Sequence, residues 1–246
     1  AGVSEVRVVA GHRDEEVEAA ARAAGASAVR NPDYASGMFS SVRAGVAALD
    51  PGTEAFFVHP VDIPLVRPAT VRRLLAAGGE GGWEVLHPAF AGERGHPALL
   101  AAGLAPAILA HAGGGGLRAV LAEHEGGARN LAVADAGVLR DMDLPVDAAA
   151  LRARAEALDI PTDGEIAALW DLAGTPAETR AHCRAVARAA AGLSAALGRA
   201  GRPVDRALAR AAALLHDVAK GRRGHEAAGA AFLGEHGFGR AGAVVA

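Results

Sequence analysis

The sequence predicts two parts, an α/β domain with a mostly parallel sheet followed by an all-α domain. Apolar strand-like runs alternate with helix-like segments through the first half, beginning at residues 6–10 and 14–25. This alternation is typical of a parallel sheet covered by helices. After Pro161 the strand-like runs stop and only helical patterns remain. The change in pattern indicates a separate helical domain.

The predicted elements of the first half follow one another in chain order. Strands are expected at residues 6–10 and 27–30, with a helix over 14–25 between them. A turn of small residues then opens a helix that reaches residue 49. A strand over 55–61 and a helix over 68–77 complete the series, with Pro68 in the first turn, where proline is tolerated.

The run from Ala55 to Val61 ends abruptly at Asp62, which is followed by Ile63-Pro64. A continuous apolar run of this length predicts a strand buried on both faces. Ligands of open α/β sheets bind at the carboxyl ends of such strands, where Asp62 would hold Mg²⁺ against a phosphate chain. The alternative is that Asp62 caps the helix at Pro68, although it lies several residues too early for a cap.

Small residues around Gly37, Ser40 and Ser41 precede the second helix. Such residues let backbone N–H groups approach an anionic ligand, and the helix N-terminus adds partial positive charge. The simpler alternative is a serine-rich helix cap without a ligand.

Composition limits the classes of partner. The 246 residues carry a formal net charge of −3, which gives no reason to expect a nucleic-acid or membrane partner. The single cysteine, Cys183, excludes an intrachain disulfide and fits the cytoplasm. Apolar residues lie close to both ends, so we expect a fragment that lacks functional residues at each end.

The second half is predicted to be helical over residues 165–172, 176–197, 205–220 and 226–236. Thr162 with Glu165 and Thr175 with Glu178 fit the capping-box pattern. We therefore expect a first domain over residues 1–146, a linker helix over 147–160 and a second domain over 161–246.

His216 and Asp217 are neighbours that cannot share one face of a regular helix. Near a helix end they can hold a metal together, with His182 reaching in from the preceding helix. Imidazole and carboxylate ligands suit Mn²⁺, Fe²⁺, Ni²⁺ or Zn²⁺, which would acidify a water for attack on a phosphoester. Lys220 and His225 are candidate phosphate contacts. A lone His-Asp pair is common by chance, but the apolar residues around this one and the upstream His182 favour a metal site.

Four segments of the first 150 residues resemble, in order and spacing, motifs of the molybdenum cofactor nucleotidyltransferases. They are Asn31-Pro32 with Gly37-Met38 and Ser40-Ser41, then Pro60-Val61-Asp62-Ile63-Pro64, then Gly95-His96-Pro97, then Asp141-Met142-Asp143-Leu144-Pro145. The resemblance is strongest to the cytidylyltransferase branch of the MobA-like NTP transferases. It implies a Rossmann-like sheet, an Mg²⁺-binding pair in Asp62 and Asp143, nucleotide contacts from the Asn31 and Ser40 region, and a Gly95-His96 segment on the pterin side.

The implied reaction transfers CMP from CTP, or GMP from GTP, to molybdopterin cofactor, with a molybdoenzyme as the acceptor of the product. Such transfers depend on positioning and on charge neutralisation by Mg²⁺. Arg94 is a phosphate ligand or a solvated charge.

Two other functions stay open. One is a sugar- or polyol-phosphate nucleotidyltransferase on the same fold, and the Gly-His-Pro segment argues against it. The other is a non-catalytic nucleotide sensor or cofactor chaperone. It is allowed because Gly113–Gly116 stands where the family usually has a Gly-Asp-x-Gly segment, so that an acidic residue is absent.

The segment from Ala213 to Gly221, with Gly224-His225-Glu226, resembles the HD-domain metal-dependent phosphohydrolases. The resemblance implies a metal held by His182, His216 and Asp217. His225 matches a further histidine of that family, so we count it with the metal ligands and Lys220 with the catalytic residues. The phosphate ester that such a site hydrolyses is not implied.

Overall fold

The computed structural model describes residues 2–246, in which the strands all lie between Arg7 and Ala132. The strands are β1 (Arg7–Ala10), β2 (Ser27–Arg30), β3 (Ala55–Val58), β4 (Val85–Phe90), β5 (Glu93–Arg94), β6 (Ala98–Ala101) and β7 (Ala128–Ala132). Within the described range no strand follows Ala132. An α/β part followed by an all-α part is thereby confirmed.

The helices between the strands are α1 (Asp14–Ala23), α2 (Met38–Ala47), α3 (Pro68–Gly78), α4 (Ala105–Ala110) and α5 (Gly116–Glu123). Those after the last strand are α6 (Pro145–Glu156), α7 (Asp163–Leu172), α8 (Ala177–Arg199), α9 (Arg206–Leu215), α10 (His225–Glu235) and α11 (Gly239–Val245). None of the helices within residues 2–246 combines the length and the apolar character that crossing a bilayer requires.

The chain divides into two compact units that do not follow chain order. The first contains the residues up to His59, Leu74–His87 and Pro97–Leu131. The second contains Pro60–Arg73, Pro88–His96 and Ala132–Ala246.

The first unit has strand pairs of both kinds. β1 and β2 are parallel, whereas β6 pairs antiparallel with both β3 and β4. Its core is apolar and includes Phe56, Val85, Leu100 and Ile108. In the second unit, the end of β4 and β5 form a hairpin that the sequence pattern did not reveal. Its turn residues Ala91 and Gly92 both have positive φ, as a tight two-residue hairpin turn requires.

β3 is shorter than the apolar run that predicted it. It ends at Val58, and only Phe56 of the strand is buried, so the expectation of a strand over 55–61 buried on both faces is wrong. Pro60 has no N–H for a strand ladder, and the backbone turns there, with Ile63 N donating to Pro60 O at 3.2 Å. Asp62 therefore lies in this turn and not at the strand end.

The second unit is held by a buried charge network around Arg67, which is 2% exposed. Its guanidinium donates to Glu165 Oε1 at 2.6 Å and to the Leu158 carbonyl, and stacks 4.2 Å from the centre of the Phe238 ring. Its backbone N–H donates to Asp135 Oδ2 at 2.8 Å. Arg67 thus binds the segment Pro60–Arg73 to the residues that follow Ala132.

Glu165 also completes the predicted capping box at the start of α7. Its carboxylate accepts from Thr162 N at 2.8 Å, while its own N–H donates to Thr162 Oγ1 at 3.3 Å. Burial acts to raise the pKa of Glu165, but Arg67 and the hydrogen bonds to the carboxylate outweigh burial and hold the pKa below its usual value.

The second predicted capping box, at the start of α8, does not form, because the Thr175 hydroxyl donates instead to the Val218 carbonyl, at 3.3 Å.

We expect Arg67→Ala to lower the free energy of unfolding by about 3–5 kcal/mol, because it leaves the buried Glu165 carboxylate without its main cationic partner. Urea denaturation followed by circular dichroism measures the change. Arg199→Ala, at an exposed position in the last turn of α8, is the matched control and should change stability little. A similar small change for Arg67→Ala would contradict the structural weight given to this network.

Candidate functional site

Three predicted metal ligands meet in the second unit. His182 lies on α8, and His216 and Asp217 directly follow α9. His182 Nε2 lies 3.9 Å from Asp217 Oδ2, and His216 Nε2 lies 3.6 Å from the same oxygen. One ligand atom from each residue can be chosen so that all three lie within 4.8 Å of one another.

The end of α9 brings the neighbours His216 and Asp217 to one point. The helix stops at Leu215 and not at the expected Lys220, and residues 216–220 form a turn. Val218 N donates to Leu215 O and Lys220 N donates to Asp217 O, both at 3.0 Å, so the chain tightens to i→i+3 hydrogen bonds. The side chains of His216 and Asp217 are therefore not held at the angular spacing of a regular α-helix and can point to the same place.

Asp217 is the central group of this cluster, and its side chain is 8% exposed. Lys220 Nζ lies 2.7 Å from Oδ2, and His225 Nε2 lies 3.6 Å from Oδ1. Lys220 and His225, both singled out from the sequence, therefore face the same carboxylate as the two histidines that are predicted to bind a metal.

The electrostatics keep Asp217 ionised. Burial acts to raise the pKa of its carboxyl, but the Lys220 hydrogen bond and the charges of His216, Lys220 and His182 together lower it below its usual value. The same hydrogen bond raises the pKa of Lys220. An ionised, largely buried carboxylate with two imidazoles is a donor set that fits Mn²⁺, Fe²⁺, Ni²⁺ or Zn²⁺.

Cys183 lies next to this cluster and is fully buried. Its Sγ is 3.8 Å from His216 Nδ1, which also lies 3.0 Å from the Ala213 carbonyl oxygen. Burial raises the pKa of the Cys183 thiol, so it is a neutral packing group beside the ligand histidine.

Asp62 and His96 both lie in the second unit, and the charge of Asp62 acts on His96. Oδ1 of Asp62 is buried and has no hydrogen-bond partner among residues 2–246. Although the His96 side chain reaches solvent, desolvation of its ring lowers its pKa, and the charge of Asp62 opposes that shift. A buried carboxylate oxygen without a partner is a position at which a cation fits.

The backbone holds the Arg94-Gly95-His96 segment in place. Gly95 N donates to Pro88 O at 2.7 Å, and His96 N donates to Val138 O at 2.8 Å. A Cβ on Gly95 would lie 2.5 Å from that same Val138 oxygen, so this position accepts only glycine. Arg94 closes the short strand β5.

In the first unit, Asn31 is buried and holds the turn before α2. Its Nδ2 donates to Ser40 Oγ at 2.8 Å and to Ser41 Oγ at 2.9 Å, and its Oδ1 accepts from Asp33 N. Gly37, with φ of 103°, immediately precedes the helix. Both Asn31 donors are used internally, so Asn31 positions the serine hydroxyls.

A cavity of about 400 Å³ adjoins Asn31. It is lined by Gly11, Arg13, Asp14, Arg30, Asn31, Pro32 and Tyr34. Arg13 and Arg30 bring cationic groups to it and were missed from the sequence. Their signal in the sequence was weak, because Arg30 merely ends β2, and the left-handed backbone of Arg13 before α1, with φ of 54°, is evident only in the structure.

Asp143 is exposed in the loop that leads into α6. Neither a hydrogen bond nor an ion pair in the described part of the chain connects it to Asp62, so their joint Mg²⁺ site stays a prediction.

Comparison with known proteins supports two domains. The family model described as "MobA-like NTP transferase domain" matches residues 1–130, and the model described as "HD domain" matches residues 179–246. The search of curated proteins found no match.

Solved structures show a similar fold. A crystal structure of Rv0371c from Mycobacterium tuberculosis H37Rv is 25% identical with a TM-score of 0.51, over 61% of this chain and 77% of that one. A complex of Rv0371c with manganese from the same organism is 25% identical with a TM-score of 0.45, and the match covers 54% of this chain and 69% of that one. Molybdopterin-guanine dinucleotide biosynthesis protein A from Archaeoglobus fulgidus is 18% identical with a TM-score of 0.37, and the match covers 50% of this chain and 62% of that one. The first of these structures, with a TM-score above 0.5, shares its fold with this chain.

We expect metal-stripped protein to bind one equivalent of Mn²⁺ and to gain thermal stability, because the ion binds only the folded cluster. Combining His216→Ala with Asp217→Ala should abolish both effects, since it removes two of three ligands. Metal analysis after gel filtration and the shift in Tm measure the outcome. His12→Ala, at an exposed histidine of the first unit, is the control. An Mn²⁺ content and a gain in Tm that are both unchanged in the double variant would contradict the assignment.

Proposed function

The chain belongs to the MobA-like NTP transferase family, and from this premise we propose that it is a two-site enzyme. The first site transfers CMP from CTP to molybdopterin cofactor. The second, in the HD domain, hydrolyses a phosphate ester. We propose residues 1–146 as the transferase domain, 147–160 as a linker helix and 161–246 as the HD domain, in a cytoplasmic protein.

One observation supports the hydrolase site best: His182, His216, Lys220 and His225 all face the single carboxylate of Asp217. His182, His216 and Asp217 would hold a divalent transition metal, with His225 beside them. When bound, such a metal supplies a water of lowered pKa.

The remaining groups of this site bind and orient the substrate. We propose that Lys220 and His225 hold the phosphoryl oxygens and stabilise the negative charge that grows on them during hydrolysis. Lys220 suits this role because its side chain is 52% exposed while its ammonium stays beside the buried carboxylate.

Lys220→Met tests this role. We expect hydrolysis of p-nitrophenyl phosphate to fall by about 10²-fold in kcat/KM, because one preorganised cation is lost, while metal content is unchanged. Steady-state kinetics combined with metal analysis separate the two effects. Arg199→Met is the control. If Lys220→Met lost the metal together with activity, Lys220 would be a structural partner of Asp217 and not a substrate contact.

For the transferase site, the observation in favour is the buried, unpartnered Oδ1 of Asp62. We propose that Asp62 and Asp143 hold Mg²⁺, which neutralises the triphosphate during attack on the α-phosphorus and departure of pyrophosphate. The segment Arg94-Gly95-His96 would contact the molybdopterin side.

The nucleotide contacts are proposed for the turn before α2. Asn31 fixes the hydroxyls of Ser40 and Ser41, and Gly37 leaves the helix N-terminus unobstructed by a side chain. This geometry supports binding of an anionic group by backbone N–H donors. GTP in place of CTP, or a sugar or polyol phosphate in place of molybdopterin, would use the same chemistry.

Asp62→Asn tests the transferase site in the full-length protein. We expect pyrophosphate release from CTP with molybdopterin to fall by about 10²-fold or more, because the cation loses a carboxylate ligand. Asp143→Asn should reduce it similarly, whereas Asp141→Asn, an exposed neighbour in the same loop, should not. Release unaffected by Asp62→Asn would overturn the proposal. Release supported by GTP but not by CTP would change the nucleotide and keep the site.

A further inference from the structure

A four-residue loop joins two groups that contact the same carboxylate. Lys220, before the loop, lies 2.7 Å from Asp217 Oδ2, and His225, after it, lies 3.6 Å from Oδ1. The loop is Gly221-Arg222-Arg223-Gly224. Both of its ends are therefore fixed beside the metal-ligand cluster.

The two glycines fold this loop back on itself. Gly221 has φ of 92° and Gly224 has φ of 63°, values that favour glycine. Arg222 N donates to Ala219 O at 3.1 Å, which closes a tight turn. Because Arg222 and Arg223 each lie two residues from an anchored end, their Cα atoms are at most about 7.6 Å from those of Lys220 and His225, respectively.

Arg222 and Arg223 are exposed, and no carboxylate among residues 2–246 forms an ion pair with either. By contrast, Lys220 pairs with Asp217, and His225 Nδ1 lies 3.5 Å from Glu226. The loop thus presents two exposed arginines that form no ion pair within residues 2–246, on a segment whose flanking residues Lys220 and His225 both lie beside Asp217.

Guanidinium groups bind phosphoryl oxygens through paired N–H donors. One phosphoryl group at the cluster already has Lys220 and His225 as partners. Two further cations exceed what a single phosphate needs and match a second one. Two adjacent arginines are also too compact a set to follow the extended backbone of a nucleic acid, whose binding relies on many spread cations.

We propose that the HD site acts on a small organic polyphosphate, with the reacting phosphoryl group at His182, His216 and Asp217 and its neighbour held by Arg222 and Arg223. The inference rests on the proposed phosphohydrolase function. In the reaction the oxygen of one water forms a new bond to phosphorus, the bond from phosphorus to the leaving oxygen breaks, and a proton passes to that oxygen. Water is the only co-reactant required.

The test measures binding and not turnover. Methylenediphosphonate carries two phosphoryl groups joined by carbon and cannot be hydrolysed, and methylphosphonate carries one. Each is titrated by calorimetry into protein loaded with Mn²⁺ and freed of excess metal. For the double variant Arg222→Gln/Arg223→Gln we expect methylenediphosphonate affinity to fall by about tenfold or more, and methylphosphonate affinity to change little.

Two controls sharpen the result. Arg199→Gln removes a charge about 25 Å along α8 from His182 and should leave both affinities unchanged. Arg222→Lys/Arg223→Lys keeps the charge but loses the paired donors, and should bind methylenediphosphonate with intermediate affinity. Binding that weakens less steeply with salt in the double glutamine variant also supports the proposal.

The outcomes distinguish a failure of the second phosphoryl site at Arg222 and Arg223 from a failure of the proposed phosphohydrolase function. Unchanged methylenediphosphonate affinity in the glutamine variant overturns the role of the arginines, while wild-type metal binding and p-nitrophenyl phosphate hydrolysis preserve the proposed function. A wild-type protein that binds no metal overturns both. Equal losses for the two phosphonates overturn the second phosphoryl site, because the arginines would then serve the first.

Discussion

The buried ion pair between Arg67 and Glu165 is the interaction on which the second unit depends. Arg67 belongs to the stretch matched by the transferase family model, yet its guanidinium is enclosed by the start of α7, the Leu158 carbonyl and the Phe238 ring. Neither charge can be buried alone without a large desolvation cost. Glu165 accepts from Arg154 Nη2 at 2.8 Å as well, so its carboxylate is fully used. This mutual requirement explains why residues 60–73 belong to the same compact unit as the helical part of the chain.

The HD cluster is organised by one carboxylate in a different way. Asp217 faces two imidazoles, an ammonium and a further histidine, so almost every group of the site depends on its position and charge. Its pKa is held low by those neighbours despite burial. The short loop after Lys220 then determines which charges surround the bound substrate.

The transferase half shows how predicted contact residues divide into two roles. Asn31 was grouped with Ser40 and Ser41 as a nucleotide residue, but its amide donates to both hydroxyls and has no donor left. Asn31 is therefore a positioning residue for the turn before α2. Asp62 shows the reverse, since one of its oxygens is buried without any partner in the described chain. The side chain of Asn31 has all its hydrogen-bond partners within the protein, which indicates a structural role. The unpartnered oxygen of Asp62 indicates a group whose partner is a ligand.

The sequence by itself determined the α/β-then-α order, most helix positions and the residues of the HD cluster. These features are local, because apolar periodicity, capping residues such as Thr162 with Glu165, and the His-Asp pair act over a few residues. Only the tertiary structure decided that β3 ends at Val58, that α9 ends at Leu215, and that Arg67 is buried. The burial of Arg67 depends on partners far apart in the chain, Asp135 and Glu165. For Asp62 the sequence predicted a carboxylate suited to binding a cation. Its position in a turn, with one oxygen buried, followed only from the packing of the segment Pro60–Arg73.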